Sequence, residues 1–442
     1  MSAVTVSPSV TAPAAPPPPR RLGRDYWALS DQALISGTNF VTMAVVARAL
    51  GTHDFGVFTL VYSALLFANM IQTALVTQPH NVLGTRRQGR DYVAYTTSTL
   101  LSQVALGGFE AVLAAGVAVF ARHVNWIGAP LVWILAPSIL AWQLQEFVRR
   151  VLYTEGRHAA AFFNDLVSYG GQTVWIAAMA VGHELTAVRA MTALTVTSAT
   201  AVLFGIFQIR RSLAARADAS AFGANWAYGK WLAGSEILGW CSSINFYLYL
   251  AARLLGYVAT GELRAVQILF GPARLLASYL DTVLPIRFAR TLHGRGHHAL
   301  RGDLIRLLLK IALPMTTYCV AAALLAGPLL RLAFGPGYES AATVLVLYSG
   351  YALLTYFQMI LTASLRARQT THLVFAGSMC AVVVSLPLSL VLIPRLGLSG
   401  ILLAMIAGVL AAGAVYVRSA FSHHEQDAIG QAVACGEETC PT

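Results

Sequence analysis

The residues best suited to chemistry lie near the middle of the chain. Arg264, Gln267, Gly271, Arg274, Ser278, Asp281 and Pro285 follow one another in steps of three and four, which places them on one face of a helix. The other faces of that segment are mostly Leu, Ile, Phe and Val. A charge at mid-bilayer costs about 3 kcal/mol or more unless it faces water or a partner, so this polar stripe is expected to line a hydrated cavity. Arg274 falls about halfway through the segment, and guanidinium is the natural bidentate partner of phosphate. A structural pair between Arg274 and Asp281, two turns apart, is the competing reading.

Acids at similar depth suggest a second kind of chemistry. Asp31 and Glu236 sit in apolar segments near their polar ends, where a carboxylate can bind a proton or sodium ion for coupling. Each could equally snorkel to the interface or pair with Arg24 or Lys230. Ser36, Asn39 and Thr42 extend the polar line beside Asp31. Glu146 is expected to pair with Arg149 or Arg150 one turn on, and Asp165, beside Asn164 and in helical register with Gln172, to face the cavity. Glu110 is a further acid inside an apolar run.

Other chemistries are poorly served. The two lysines, Lys230 and Lys310, follow no G-x4-G, so there is no phosphate-cradling loop and no sign of an intrinsic ATPase. No cofactor is implied. Cys241, Cys319 and Cys380 lie in apolar runs as small hydrophobes. Cys435 and Cys440 form a C-x4-C pair without companion ligands, and His293, His297 and His298 have only Asp303 nearby, so no metal site is expected.

The elements that must position these groups are membrane spans. Of 442 residues, 57% are hydrophobic and only 11% charged, against about a quarter charged in a soluble domain. Twelve apolar segments approach or exceed the roughly 18 residues needed to span a bilayer. They are 26–47, 56–78, 93–120, 127–147, 159–181, 190–209, 229–251, 262–285, 305–327, 340–363, 371–393 and 398–417. With the N-terminus inside, alternate loops place 22 of the 30 basic residues on the cytoplasmic side and seven, Arg264 among them, outside. That asymmetry predicts both termini in the cytoplasm. The net charge of +11 is thereby explained without nucleic acid. The basic stretch 287–310 reads as a solvated loop drawn to anionic membrane lipids. The expected fold is all-α and integral to the membrane, with twelve helices in two six-helix lobes. The lobes cover 22–211 and 229–418, with a linker at 212–228 and cytoplasmic tails at 1–21 and 419–442. The first tail is rich in Pro and Ala and is expected to be disordered.

The two halves repeat at an offset of 205. Ser30-Asp31 falls on Ser235-Glu236, Ala47-Arg48 on Ala252-Arg253, Leu50-Gly51 on Leu255-Gly256 and Gly56 on Gly261. Six spans separate the repeats, so they run parallel, related by a pseudo-twofold axis along the membrane normal. Transporters of that build hold substrate between their halves. By this register Thr59, Tyr62, Asn69 and Thr73 of the second span match Arg264, Gln267, Arg274 and Ser278 of the eighth. The first half offers neutral hydrogen-bonding groups where the second offers charge. Interhelical hydrogen bonding is the alternative role for them.

Three short motifs resemble those of polysaccharide-export flippases in the multidrug/oligosaccharidyl-lipid/polysaccharide superfamily. One is the turn Ala47-Arg48-Ala49-Leu50-Gly51 followed by Asp54-Phe55-Gly56. The others are Ala333-Phe334-Gly335-Pro336-Gly337-Tyr338 with Ala341-Ala342, and Leu392-Ile393-Pro394-Arg395-Leu396-Gly397-Leu398-Ser399-Gly400. Pro285 also fits, and the resemblance runs from about residue 22 to 418. It implies movement of an undecaprenyl-pyrophosphate-linked sugar repeat across the cytoplasmic membrane, with polymerase and chain-length regulator as partners. By that analogy Arg274 would hold pyrophosphate while Gln267, Asn69 and Thr73 would contact sugar. Related members use several cationic cavity residues, whereas this chain shows one clear mid-membrane arginine. An ion-coupled drug or cation antiporter of the same superfamily is the alternative; Asp31 and Glu236 would suit it and Arg274 would oppose it. A membrane glycosyltransferase fits poorly, because every external loop is short.

Overall fold

The computed structural model describes residues 22–213, 217–368 and 370–421. The tail 1–21 and the pair Cys435 and Cys440 lie outside the described residues, as does the side chain of Arg24. Among the described residues there is no strand. Twelve helical passes follow the twelve apolar segments: α1 (residues 22–50), α2 (52–83), α3 (Gly89–His123), α4 (Ala129–Thr154), α5 (158–181), α6 (Ala187–Ile209), α7 (219–255), α8 (257–295), α9 (297–324), α10 (Ala342–Ala367), α11 (Thr371–Leu396) and α12 (Leu398–Phe421). A short helix, Ala326–Phe334, precedes α10. Among the described residues eight helical stretches are long and apolar enough to cross a membrane. The first, Tyr26–Arg86, contains both α1 and α2, while α5, α7 and α8 carry internal breaks. An even number of passes returns the chain to the end it started from. That end is termed the terminal face and the opposite end the distal face.

The first six helices pack into one lobe and the last six into another. The repeat is visible in the backbone. Gly51 has φ 73° and ψ 174°, and Gly256 has φ 87° and ψ −179°, a region open essentially to glycine alone. Each turns its chain at the distal face from the first to the second helix of its lobe. The distal ends of α2 and α8 then cross in backbone contact. A Cβ on Gly56 would lie 1.9 Å from the Tyr257 carbonyl oxygen, and one on Gly261 would lie 2.2 Å from that of Thr52. These four residues are two repeat-equivalent pairs, so the pseudo-twofold axis passes through the contact.

The motifs around this crossing seal the distal face. Tyr338 donates its hydroxyl to the Ala47 carbonyl (2.9 Å), and Arg48 donates to Leu332 O (3.1 Å). Trp126, in the α3–α4 turn, donates to the Tyr257 hydroxyl at 2.5 Å, and Tyr249 donates to Leu60 O at 3.0 Å. Loops of each lobe thus cap the first turn of the other.

Toward the terminal face the two sides of the interface differ. α8 breaks at Phe270 (φ −88°, ψ 10°). Pro272 has no N–H, so the Ile268 carbonyl loses its helical donor, and the Tyr318 hydroxyl takes the neighbouring Leu269 carbonyl at 2.7 Å. Above this break α8 packs along α2; below it, α8 makes few contacts with either α1 or α2. The other side stays closed. The backbone of α7 at Gly229 presses on α2, where a Cβ would meet Ala74 O at 2.6 Å. Tyr95 of α3 donates to Asn225 (2.7 Å), which donates to Thr99 (3.2 Å). Arg87 pairs with Asp218 at 2.8 Å, and Asp218 caps α7 by accepting from Ser220 N. The Ser220 hydroxyl first, and then Arg87, hold the Asp218 carboxyl below the usual carboxylate range.

Two expectations need correction. The stretch 287–310, read as a solvated loop between spans, is helical: α8 and α9 continue through it and meet at Gly296, whose φ of 76° makes the turn. Helix α7 begins at Ala219, inside the segment read as linker.

Substituting Gly261→Ala should force the crossing apart at a cost of about 1–3 kcal/mol. The expected readings are a lower thermal midpoint in detergent and faster thiol labelling of a cysteine placed at Thr59, which is 1% exposed. An unchanged midpoint with unchanged labelling would show that the helices can separate there without strain.

Candidate functional site

The interlobe space below the glycine crossing collects the polar residues of α8. Arg264 is buried and donates Nη1 to the Gln267 side-chain oxygen at 2.6 Å and to Asn245 Oδ1 at 3.4 Å. Its guanidinium carbon lies 5.6 Å from the ring centroid of Tyr62 in the opposite lobe, a cation–π distance. Arg264 therefore belongs to the chamber, not to the external side where the loop count placed it. Its Nε, buried, has no hydrogen-bond partner. One turn past the break Arg274 is exposed. Its charge reaches Arg264, Tyr62 of α2 and Tyr348, Tyr351 and Tyr356 of α10. Tyr62 and the α10 tyrosines belong to different lobes, so Arg274 lies near residues of both.

The break divides the expected stripe. Arg264 and Gln267 stand above it and bond each other, while Arg274 stands below. The side chains of Ser278 and Asp281 lie outside the described residues. On α2, Thr59 and Tyr62 are buried and Asn69 and Thr73 half-buried. The Thr73 hydroxyl donates to its own helix at Asn69 O (2.8 Å), whereas Asn69 Oδ1 and the Thr59 hydroxyl have no partner. Aromatic rings extend this wall: Tyr62 stacks with Phe58 at 5.7 Å and Trp142 at 6.2 Å, and Tyr348 meets Phe270 at 4.9 Å.

The acids separate in a way the repeat register did not anticipate. Asp31 is fully buried inside the first lobe and does not pair with Lys230. It accepts from Tyr153 at 2.5 Å and from Arg149 Nη2 at 3.3 Å. Arg149 also pairs through Nε with Asp165 Oδ2 at 2.8 Å and through Nη1 with Glu146 at 3.2 Å. Arg150 holds Glu146 at 2.7 Å, and Gln145 donates to Asp165 at 2.6 Å. Asp165 is thus turned into the lobe, away from the cavity. Glu236, the repeat partner of Asp31, is exposed on α7 with no ion pair among the described residues. Both acids precede the distal glycine turn of their lobe, Gly51 or Gly256, by 20 residues, so they share a depth and differ in facing. Sequence reasoning missed the centrality of Arg149, counting it as a cytoplasmic loop charge. The close spacing of Gln145, Glu146, Arg149 and Arg150 was the only available signal.

No group of three or more His, Cys, Asp or Glu side chains able to hold a metal occurs among the described residues. The site can bind an anionic group beside a surface of aromatic rings and hydroxyls.

No family model matches the chain, and no curated protein matches it in sequence. Solved structures do match in fold. An inward-facing multidrug resistance MATE family transporter of the MOP superfamily aligns with a TM-score of 0.64 at 13% identity, covering 89% of this chain and 93% of that one. The lipid II flippase MurJ in an inward closed conformation aligns with a TM-score of 0.63 at 11% identity, covering 90% and 87%. A MOP superfamily transporter from Pyrococcus furiosus, described as having a reversed polarity of its binding pocket, aligns at 0.56 and 13%, covering 89% and 90%. The chain therefore has the two-lobed helical fold of MOP superfamily transporters.

Replacing Arg149 by Met would leave three buried acids facing only Arg150. The expected loss is about 3–5 kcal/mol, the usual cost of orphaning a buried charge, seen as a sharply lower thermal midpoint. The triple change Asp31→Asn, Asp165→Asn, Arg149→Met should recover most of it. A single variant as stable as the parent would show that the cluster does not hold the lobe together.

Proposed function

We propose that this protein flips a lipid-linked oligosaccharide, of the undecaprenyl-pyrophosphate type, across the cytoplasmic membrane by alternating access between its lobes. The observation that carries the reading is the pair of arginines in one interlobe chamber. Arg264 and Arg274 stand about three turns apart, on either side of the break in α8, near a wall of tyrosines and amides. Two positive charges favour a diphosphate. Hydroxyls, amides and ring faces suit sugars. The terminal face is taken as cytoplasmic, since the basic loops lie there. The space beside the lower part of α8 is then the entry for substrate, and the glycine crossing is the closed external gate. That one fold neighbour is a lipid II flippase agrees with this reading. A polymerase and a chain-length regulator are proposed as partners, with anionic lipid heads bound by the basic ends of α8 and α9.

Drug or cation antiport is the second reading. Glu236, exposed on α7, favours it. The two chamber arginines oppose it, as does Arg149, which fills with a guanidinium the place where Asp31 and Asp165 could have gathered a mobile cation.

The test is export of surface polysaccharide in a strain lacking the native gene. Losing one charged hydrogen-bonding contact to pyrophosphate costs about 1.5–3 kcal/mol, so Arg274→Ala should lower export roughly 10- to 100-fold at equal protein level, and Arg274→Lys should retain part of it. Undiminished polymer in the Ala variant, or drug efflux with no effect on glycan, would reject the flippase assignment.

A further inference from the structure

A polar chain buried in the first lobe, away from the chamber and the Arg149 cluster, ends on an acid. Glu110 lies on α3, about 20 Å from its distal end at 1.5 Å per residue. It is half-buried, and its neighbours Phe109, Val112 and Leu113 are exposed on the outward side of the helix. Gln143 of α4 donates Nε2 to Glu110 Oε2 at 2.5 Å. Gln103, one helix face along from Glu110, donates to Gln143 Oε1 at 2.9 Å. Gln72 of α2 donates to the Gln143 backbone carbonyl at 2.7 Å. All three glutamines are at most 1% exposed, and the oxygens of Gln72 and Gln103 have no donor. Gly107 makes room for them: a Cβ there would come within 3.0 Å of Gln143 Oε1 and 3.4 Å of Gln103 Nε2.

Among the described residues no cation pairs with this acid. On the elements packed against α3, Glu146, Arg149 and Arg150 of α4 are engaged with one another and with Asp31 and Asp165. His80 is held by Thr96 and Thr154 at the end of α2, Arg87 and Asp218 pair with each other, and Lys230 and Glu236 lie on α7. Burial and the Gln143 bond are what act on Glu110. An ionised carboxylate at this depth without a counter-charge is costly, and a proton removes that cost.

We propose that Glu110 is a proton-binding site whose state sets the direction of the Gln143–Gln103 amide pair, and that Gln72, tied to the Gln143 backbone carbonyl, passes the resulting shift of α4 to the contact between α2 and α7. The relay follows from amide geometry. Ionised Glu110 accepts from the Gln143 NH2 group. Protonated Glu110 gains an O–H donor, and the Gln143 amide can turn its oxygen to accept it. Gln143 then offers its NH2 to Gln103, whose amide turns its oxygen to receive it. Each link survives with its direction reversed, and the charge change becomes a rotation of two amides. The far end is placed to respond. Gln72 immediately precedes a π-turn of α2, Thr73–Thr77, and the backbone of that turn carries Gly229 of α7. Inserted π-turns are conformationally soft and recur at functional sites.

The experiment uses the full chain in liposomes, without substrate, so that its outcome is separate from the flippase assignment. A hydrophobic carbodiimide reacts with un-ionised carboxyls that it reaches from the lipid. It should modify Glu110, identified by peptide mass mapping, with labelling falling as the buffer is made alkaline. Spin labels at Arg90→Cys and Ala227→Cys, both at exposed positions, report the α3–α7 separation. Its distribution should shift between mildly acidic and mildly alkaline buffer. Glu110→Gln, which imitates the protonated acid, should lose the labelling and show the acidic distribution in both buffers. Gly107→Ala should keep the labelling and lose the shift. A Glu110 that resists the reagent, or a Glu110→Gln protein whose label distances still follow pH as the parent's do, overturns the proposal.

Discussion

The structure depends on one contact that admits no side chain. Where α2 and α8 cross at the distal face, Gly56 and Gly261 bring backbone against backbone. Within a membrane, apolar side chains gain nothing by leaving lipid for one another, so close approach of small residues is what joins helices. The two glycines are repeat equivalents, and the contact sits on the pseudo-twofold axis. Each lobe then lays a loop over the first turn of the other, through Tyr338 on Ala47 and Trp126 on Tyr257. With the distal ends joined, the lobes are left less tightly bound toward the terminal end.

Symmetry holds at the crossing and fails below it. α7 stays on the first lobe through Gly229, Asn225 and Asp218, while α8 breaks at Phe270 and departs from α1 and α2. The opening therefore has one side. Its polar lining comes from α8 because the break lies between Gln267 and Arg274, which directs the two arginines to different levels of one chamber. Charge in the first lobe is handled differently. Asp31, Glu146 and Asp165 are gathered around Arg149, and the chamber wall on that side is left to Tyr62, Asn69 and other neutral groups. A lobe that neutralises its acids internally leaves the net charge of the chamber to the arginines.

Much of this was legible in one dimension. Span positions follow from hydropathy, since apolar length is a local property of the chain, and every one of the twelve segments contains a helix. The glycine turns were legible because Gly51 and Gly256 recur in the repeat, and their shared backbone conformation explains why. Two of the three motifs carrying the resemblance, around Ala47–Gly56 and Ala333–Tyr338, are parts of the distal seal. Their spacing is constrained by lobe contact, whatever the cargo. Glu146 beside Arg149 and Arg150 was legible for the same reason: one helical turn separates the partners.

What the sequence by itself determined is the set of helices, their duplication and the position of each charge along its helix, all consequences of apolar length and helical period. Only the tertiary structure decided which way each charge faces. Asp31 meets Arg149 across more than a hundred residues, and Arg264, assigned outside by its loop, meets Tyr62 across two hundred. Depth in a membrane is set along one helix. Facing is set by its neighbours, and the difference between a lobe interior and an interlobe chamber is a matter of rotation by a third of a turn.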